Sequence, residues 1–199
     1  NIIIDLTSPA ITFTAIPFTN DNTPTLTGTY SDANGVASVT VSIDGGAAQT
    51  ATLNAGTWSF TSAALTNGTH TVVVTATDNA GNVTSTTSSN IIIDLTNPNV
   101  TFTPIPFTND NTPTLTGTYS DANGVASVTV SIDGGAAQTA TLNAGTWSYT
   151  VPSTLTAGTH TVVVTATDNA GNSSNSTTMN FAVDLSGPSV NVTGANIGV

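Results

Sequence analysis

The sequence is a duplication with a period of 89 or 90 residues. Residues 1–7, Asn-Ile-Ile-Ile-Asp-Leu-Thr, return as residues 90–96, and a looser copy occupies residues 180–186. A turn-like pentapeptide, Asp-Asn-Ala-Gly-Asn, is found at residues 78–82 and again at residues 168–172. A period of this length corresponds to one small domain, so each copy has to bury a core of its own.

We therefore predict two complete domains, called repeat one and repeat two. The predicted divisions are the end of a preceding repeat with its linker (1–9), repeat one (10–93), a linker (94–98), repeat two (99–183), and a linker with the start of a further repeat (184–199). Repeat two carries one inserted residue, because residues 151–154 stand where repeat one has residues 62–64. A surface loop tolerates such a change.

Within each repeat, apolar and polar residues alternate over short segments that are separated by turn residues, and no helical period is present. In repeat one, Leu26, Gly28 and Tyr30 alternate with threonines, and Val72 and Val74 mark one face of a later segment. The predicted strands A to G of repeat one cover residues 11–14, 25–30, 39–43, 48–53, 58–60, 71–77 and 83–93. Seven short strands in about ninety residues are typical of an immunoglobulin-like sandwich. The predicted fold class is all-β, with tandem seven-stranded immunoglobulin-like β-sandwiches in an end-to-end array.

The composition removes several function classes. The chain has no Lys and no Arg, 11 acidic residues, which are all Asp, and a formal net charge of −11. Nucleic acids and anionic membranes attract basic surfaces, so neither is an expected partner. Cysteine is absent, which excludes disulfides, and the 38% of hydrophobic residues in an alternating pattern favours a packed fold over disorder.

The direction of the strands predicts where the aspartates meet. If successive strands alternate in direction, the start of strand A, the B–C turn and the F–G turn share one end of the sandwich. The expected groups are Asp5, Asp32 and Asp78 in repeat one, and Asp94, Asp121 and Asp168 in repeat two, with Asp184 in the third linker. Clustered carboxylates repel one another, and this chain has no basic residue to offset them. Oxygen ligands on irregular loops favour calcium over zinc or copper, so we predict Ca²⁺ at these seven residues.

The same residues also have a purely structural interpretation. Asp and Asn side chains cap turns, and Gly accepts a positive φ, so each Asp taken on its own is better explained as a turn residue than as a metal ligand. Asp44 and Asp133 are expected in hairpins, since Asp-Gly-Gly is a strong hairpin signal. Asp21 and Asp110 are expected at the opposite end of each sandwich. They are either turn residues there or further ligands of the ion at the next linker.

Catalysis has little support in the sequence. The chain has no nucleophilic Cys, no glycine-rich phosphate loop and no His/Glu metal motif. His70 and His160 are expected as surface residues at the edge of strand F, far from the Asp group of their own repeat. We expect the protein not to be an enzyme.

Residues 65–82, Leu-Thr-Asn-Gly-Thr-His-Thr-Val-Val-Val-Thr-Ala-Thr-Asp-Asn-Ala-Gly-Asn, followed by Asp-Leu-Thr-Asn-Pro at 94–98, resemble the bacterial immunoglobulin-like repeats of very long repeats-in-toxin adhesins. The resemblance implies secreted extender repeats at the bacterial cell surface, which hold a terminal ligand-binding domain away from the cell for adhesion or biofilm formation. It also implies Ca²⁺ at the linkers, and neighbouring repeats of the same chain as partners. The third linker departs from the pattern, since Ser186 replaces Thr.

An alternative function is an accessory glycan- or ice-binding module of a secreted protein. The outer face of strand F carries Thr71, Thr75 and Thr77, but Val73 interrupts this row. A glycan-binding surface requires an exposed aromatic platform, and Trp58 is expected in the core. Exposure of Trp58 would favour glycan binding.

Overall fold

The computed structural model describes residues 4–86 and 89–191, and all regular structure in these residues is β-strand. The strands of repeat one are β1 (Ala10–Ile11), β2 (Thr25–Ser31), β3 (Val36–Ile43), β4 (Gln49–Thr50), β5 (Thr52–Asn54), β6 (Thr57–Thr61), β7 (Gly68–Asp78), β8 (Val83–Ser85) and β9 (Ser89–Ile93). Those of repeat two are β10 (Asn99–Val100), β11 (Phe107–Thr108), β12 (Thr114–Ser120), β13 (Val125–Ile132), β14 (Gln138–Thr139), β15 (Thr141–Asn143), β16 (Thr146–Thr150), β17 (Gly158–Asp168), β18 (Ser173–Asn175) and β19 (Met179–Val183). The described residues include no helix that is long and apolar enough to cross a membrane.

Each repeat consists of two sheets. In repeat one the first sheet has the order β1-β2-β6-β5, and the second has the order β4-β3-β7, with β8 and β9 both paired to β7. In repeat two the corresponding sheets are β10-β12-β16-β15 and β11-β19-β17-β13-β14, with β18 paired to β17. Strands A, B, E and D on one sheet and C, F and G on the other are the arrangement of an immunoglobulin-like sandwich. The predicted fold class is confirmed.

The apolar positions of the alternating segments form the core, as predicted. In β2 the odd-numbered threonines are exposed, while Leu26 and Gly28 between them are buried. The indole of Trp58 is only 2% exposed, stacks on Phe13 with ring centroids 6.3 Å apart, and donates a hydrogen bond from Nε1 to the carbonyl of Thr12 at 2.9 Å. The aromatic platform that would favour glycan binding is therefore absent at this position.

Three segments differ from the prediction. Of predicted strand A, 11–14, only Ile11 lies in a strand, although the amides of Thr12 and Thr14 still donate to the carbonyls of Thr29 and Thr27. Predicted strand D is split into β4, which pairs with β3, and β5, which pairs with β6, because the chain changes sheets at the buried Ala51. The predicted turn 17–24 contains a parallel bridge from Thr19 to Ile93. Alternation of apolar residues shows which side chains face inward, but it does not show which sheet supplies the backbone partners. Part of predicted strand G, residues 87–88, lies outside the described residues.

The predicted hairpin after β3 is confirmed. Asp44 and Gly45 have φ values of 53° and 69°, and the Gly46 amide donates to the Ile43 carbonyl at 2.9 Å. Two central residues with positive φ define the type I′ turn that matches the twist of paired strands. Asp133 and Gly134 repeat this geometry, with φ values of 53° and 71°.

By backbone contacts the chain divides into two compact units. The first contains the chain up to Pro98 together with Asp121–Ala126 and Thr167–Ser173. The second contains Asn99–Ser120, Ser127–Ala166 and the chain from Ser174 onward. The B–C and F–G loops of repeat two are thus grouped with repeat one and with the linker 94–98.

Candidate metal centres

The structure brings six of the seven candidate ligands together in two groups. Asp5, Asp32 and Asp78 form the first cluster, and Asp94, Asp121 and Asp168 form the second. In each cluster the three residues offer carboxylate oxygens that lie within 4.8 Å of one another. All six residues belong to the first compact unit. The grouping arises because each linker precedes strand A, while the other two aspartates stand at the ends of β2 or β12 and of β7 or β17.

The F–G turn holds the carboxylate of Asp78 rigidly. Its Oδ1 accepts hydrogen bonds from the amides of Ala80 at 2.8 Å and Asn82 at 2.9 Å, and its Oδ2 accepts one from the Asn82 side chain at 2.8 Å. Burial acts to raise the pKa of Asp78, which is only 2% exposed, but the hydrogen bonds from Asn82 and Ala80 outweigh it and lower the pKa. Asp168 has the same three contacts with Ala170 and Asn172. The lowered pKa keeps the buried carboxylate of Asp78 ionised.

Asp94 of the linker is fully buried and is held from three sides. Its Oδ1 accepts hydrogen bonds from the Thr96 amide at 3.1 Å and hydroxyl at 2.5 Å, and its Oδ2 accepts one from Asn123 Nδ2 at 3.0 Å. The backbone carbonyl of Asp94 accepts a hydrogen bond from Asn172 Nδ2 at 2.8 Å. Burial acts to raise its pKa, but the hydrogen bonds from Thr96 and Asn123 lower it overall. Its negative charge is therefore retained in an interior that holds no basic residue of this chain.

Asp5 provides the sharpest test of whether a cation fits. Its Oδ1 accepts hydrogen bonds from the Thr7 hydroxyl at 2.6 Å and amide at 3.0 Å, and these contacts lower its pKa. Its Oδ2 is buried and makes no hydrogen bond of standard length and angle within the part of the chain that the structure describes, although the Asn34 side chain is close enough to lower the pKa of Asp5 further. A buried, ionised oxygen without a well-formed donor is costly, and a metal ion is one way to satisfy it. The all-oxygen donor set beside it, from Asp32 and Asp78, is of the kind that suits Ca²⁺.

The asparagines of these loops act as clamps. Asn82 Nδ2 donates to the carbonyl of Asp5 at 3.1 Å as well as to Asp78, and Asn79 Nδ2 donates to the carbonyl of Asn34 at 2.9 Å. The backbone N–H of Asn79 also donates a hydrogen bond to the carbonyl of Gly35 at 3.1 Å. These side chains tie the linker, the B–C loop and the F–G loop to one another. This role of the asparagines was not predicted, although their fixed spacing from Asp32 and Asp78 in both repeats is a signal that the sequence contains.

The seventh candidate is not part of either cluster. Asp184 is exposed, and its Oδ1 accepts hydrogen bonds from the Ser186 amide at 2.9 Å and hydroxyl at 2.6 Å, which lower its pKa. Among the described residues it has no acidic neighbours of the kind seen around Asp5 and Asp94. Asp21 and Asp110 are also outside the clusters, and each accepts hydrogen bonds from the threonine two residues later.

The prediction that the histidines lie at the surface is wrong. His70 and His160 are 7% and 6% exposed. His70 is two residues before the buried Val72 of β7, so it shares the inward face of that strand. Its Nδ1 lies 2.6 Å from Asp44 Oδ2 and its Nε2 lies 2.9 Å from the Thr66 carbonyl. The alternation in β7 indicated that His70 faces inward, in phase with Val72, but the polarity of the imidazole was given more weight.

Comparison with known proteins agrees with this architecture. A sequence model described as a bacterial Ig-like domain matches residues 9–95 and 106–185. The fold is similar to that of the fibronectin(III)-like modules of Clostridium thermocellum CbhA, at 16% identity and a TM-score of 0.53 over 87% of this chain and 94% of that one.

Two further solved structures are similar at lower TM-scores. A tetra-tandem repeat in the extending region of a large adhesion protein is 29% identical, with a TM-score of 0.37 over 89% of this chain and 49% of that one. The BSP domain of a biofilm associated protein is 21% identical, with a TM-score of 0.36 over 91% of this chain and 30% of that one. The chain thus spans half or less of these two structures. No curated protein sequence matches it.

Proposed function

Because the chain belongs to the family of bacterial Ig-like domains, we propose that its repeats are structural extender domains of a bacterial surface adhesin, stiffened by calcium at the linkers. In this function the repeats carry no catalytic site. They separate a distal ligand-binding domain from the cell in adhesion or biofilm formation, and their partners are neighbouring repeats of the same chain. The observation that carries the proposal is the pair of Asp clusters, which lie partly or fully buried in a chain without Lys or Arg.

Asp94, Asp121 and Asp168 are the residues that would hold the ion at the linker between the repeats, and Asp5, Asp32 and Asp78 would hold its counterpart. Bound Ca²⁺ supplies the positive charge that offsets the repulsion among three carboxylates. Asp94 belongs to the linker, whereas Asp121 and Asp168 belong to the loops of repeat two, so an ion shared by the three restricts the movement of the linker. Extracellular calcium sites commonly have dissociation constants of about 10⁻⁴ to 10⁻³ M.

The linker itself is already restrained by the protein. The Asp94 amide donates to the Thr19 carbonyl at 2.9 Å, and the Leu95 amide donates to Asn67 Oδ1 at 2.8 Å. Asn123 and Asn172 reach Asp94 from the two loops of repeat two. These contacts preorganise the carboxylates, so less ordering remains to be done when the ion binds.

A surface location fits the composition. The absence of Lys and Arg makes nucleic acid an unfavourable partner, and secretion to the cell surface exposes the Asp clusters to millimolar calcium. Trp58 and Trp147 give no support to the alternative of a glycan-binding module, since their indoles are 2% and 1% exposed and bond to backbone carbonyls, and the exposed ring of Phe107 is a single side chain rather than an aromatic platform.

Small-angle scattering tests the proposal on the intact chain, in EDTA and in millimolar Ca²⁺. We expect a longer and stiffer particle in calcium, with a raised Tm and no comparable response to magnesium. Asp94→Ala removes one candidate ligand and is expected to abolish the stiffening while both sandwiches stay folded. Asp110→Ala is the matched control, because Asp110 is in neither cluster, and it is expected to keep the response. Unchanged scattering of the wild type in calcium, or a full response of Asp94→Ala, would refute the proposal.

A further inference from the structure

Each repeat contains a buried histidine that is bonded at both ring nitrogens. In repeat one, His70 Nδ1 lies 2.6 Å from Asp44 Oδ2, and Nε2 lies 2.9 Å from the carbonyl oxygen of Thr66. In repeat two, His160 has the same contacts with Asp133 Oδ2 at 2.7 Å and with the Thr156 carbonyl at 2.9 Å. Among the described residues of this chain, which has no Lys or Arg, these two contacts pair a histidine with a carboxylate.

The partners determine the protonation of the ring. A carbonyl oxygen only accepts hydrogen bonds, so Nε2 of His70 has to carry a proton. Hydrogen bonds from His70 and from the Thr71 amide, the latter 2.8 Å from Oδ1, lower the pKa of Asp44 and keep its carboxylate ionised, so Oδ2 is an acceptor and the contact with it places a proton on Nδ1 as well. Both nitrogens are donors only in the imidazolium form. The same reasoning applies to His160, since Asp133 Oδ1 accepts from the Thr161 amide at 2.8 Å.

The pair connects two parts of the repeat that are distant in sequence, the hairpin at Asp44 and the segment from Thr66 to His70. Asp44 is in the hairpin between β3 and β4, His70 is near the start of β7, and Thr66 is in the loop before β7. The Asp44 amide also donates to the Thr71 carbonyl at 2.9 Å. We propose that each repeat is closed by a proton-dependent clasp, in which the buried imidazolium joins the hairpin to the start of the long strand, and that loss of the proton opens this end of the sandwich.

The surroundings of the ring contain few other titratable groups. The residue paired with His70 on β9 is Ile91, and His160 packs on Phe181 with ring centroids 5.5 Å apart. Asp44 is the charged group that acts on His70, and Asp133 is the one that acts on His160. The hydrogen bond to the carboxylate and the one to the carbonyl raise the pKa of each histidine, and burial opposes them.

The sign of the pH dependence follows from these shifts. A histidine whose pKa is raised in the folded state stabilises the fold fully below its unfolded pKa of about 6.5, and this contribution disappears as the pH rises through the folded value. Hydrogen bonds from His70 and Thr71 lower the pKa of Asp44, so the carboxylate stays ionised in the same range. Opening therefore occurs on the alkaline side. Asp78 and Asp94 also have lowered pKa values, so their charge does not change in this window.

Proton NMR of the intact chain measures the clasp directly. We expect both imidazole signals to titrate with pKa values above 6.5, and the amides of the two hairpins to lose protection from hydrogen exchange as the pH passes those values. A pKa at or below 6.5 for both rings in the folded protein would overturn the proposal without any variant.

Variants separate the clasp from other pH effects. In Asp44→Asn, the pKa of His70 is expected to fall while that of His160, its matched control in the same molecule, stays raised. In the double variant His70→Gln/His160→Gln, the Tm is expected to become independent of pH between 6 and 9, whereas the wild-type Tm falls by about 4 °C or more. An equal fall in the double variant would contradict the proposal. Melts in EDTA keep this test independent of calcium, so failure of the clasp and failure of the extender proposal are distinguishable.

Discussion

Replacing Ser62 with the valine of repeat two is expected to stabilise repeat one. Ser62 is 5% exposed and its amide donates to the Pro24 carbonyl, but its Oγ is buried with no hydrogen-bond partner among the described residues. Val151 occupies the corresponding position, is also 5% exposed, and its amide donates to the Pro113 carbonyl at the same distance of 3.1 Å. The two backbones are therefore equivalent at this position, and one of them already accommodates valine.

The magnitude follows from two terms. A buried hydroxyl without a partner costs about 1–3 kcal/mol, and each added apolar carbon contributes about 0.8 kcal/mol on burial. Part of this gain is offset because the neighbouring side chains differ, Phe60 in one repeat and Tyr149 in the other. We expect Ser62→Val to raise the free energy of unfolding of repeat one by about 1–3 kcal/mol.

Chemical denaturation followed by tryptophan fluorescence measures this change. Each repeat contains one tryptophan, so a Trp147→Phe background leaves Trp58 as the reporter of repeat one. Val151→Ser, with Trp58→Phe as background, is the reverse experiment and is expected to destabilise repeat two by a similar amount. If Ser62→Val were neutral or destabilising, the Ser62 hydroxyl would have a partner, such as a buried water, and the reasoning would be refuted.

Three further perturbations have defined outcomes. Asn67→Ala removes the acceptor of the Leu95 amide, and loss of this hydrogen bond should cost about 1 kcal/mol of stability. Hydrogen exchange at Leu95 should therefore accelerate, and unchanged exchange would contradict this expectation. Gly28→Ala places a Cβ 2.1 Å from the carbonyl oxygen of Thr12 and should destabilise repeat one by about 1–3 kcal/mol or more. Denaturant melts measure this change, and an unchanged midpoint would show that the segment at Thr12 can move away from Gly28 without cost. Asp78 has a lowered pKa, so its contribution to stability is present above its unfolded value near 3.9 and is lost as the pH falls further; circular dichroism should show unfolding in acid only below about pH 4, and an onset near neutral pH would argue against the assignment.

Much of the fold could be predicted because side-chain alternation has a period of two. That pattern identified the buried faces of the strands at Leu26, Val39 and Val72, and the Asp-Gly-Gly signal identified the hairpin at Asp44. It did not show that the chain changes sheets at Ala51. The polarity of the side chains is the same whichever strand supplies the backbone hydrogen bonds, so the pattern does not tell whether β3 or β6 is the partner.

The placement of the aspartates could be predicted for a different reason. Alternating strand direction is enough to bring Asp5, Asp32 and Asp78 to one end, and the structure places them there. The burial of His70 was missed, because its polarity was given more weight than its position in phase with Val72. The buried Oδ2 of Asp5, which lacks a hydrogen bond of standard geometry, also required coordinates, since no pattern of residues reports a missing donor.

Thermal unfolding in EDTA and in calcium is the most direct test of the proposed calcium sites. At a hundred times the dissociation constant, calcium adds about 2.7 kcal/mol per site, which corresponds to a rise in Tm of about 10 °C or more for a repeat of this size. We expect this rise for the wild type and for Asp21→Asn/Asp110→Asn, whose aspartates lie outside the clusters, and its loss in Asp32→Asn/Asp121→Asn. A wild type that melts identically in EDTA and calcium, or a cluster variant that keeps the full rise, would contradict it.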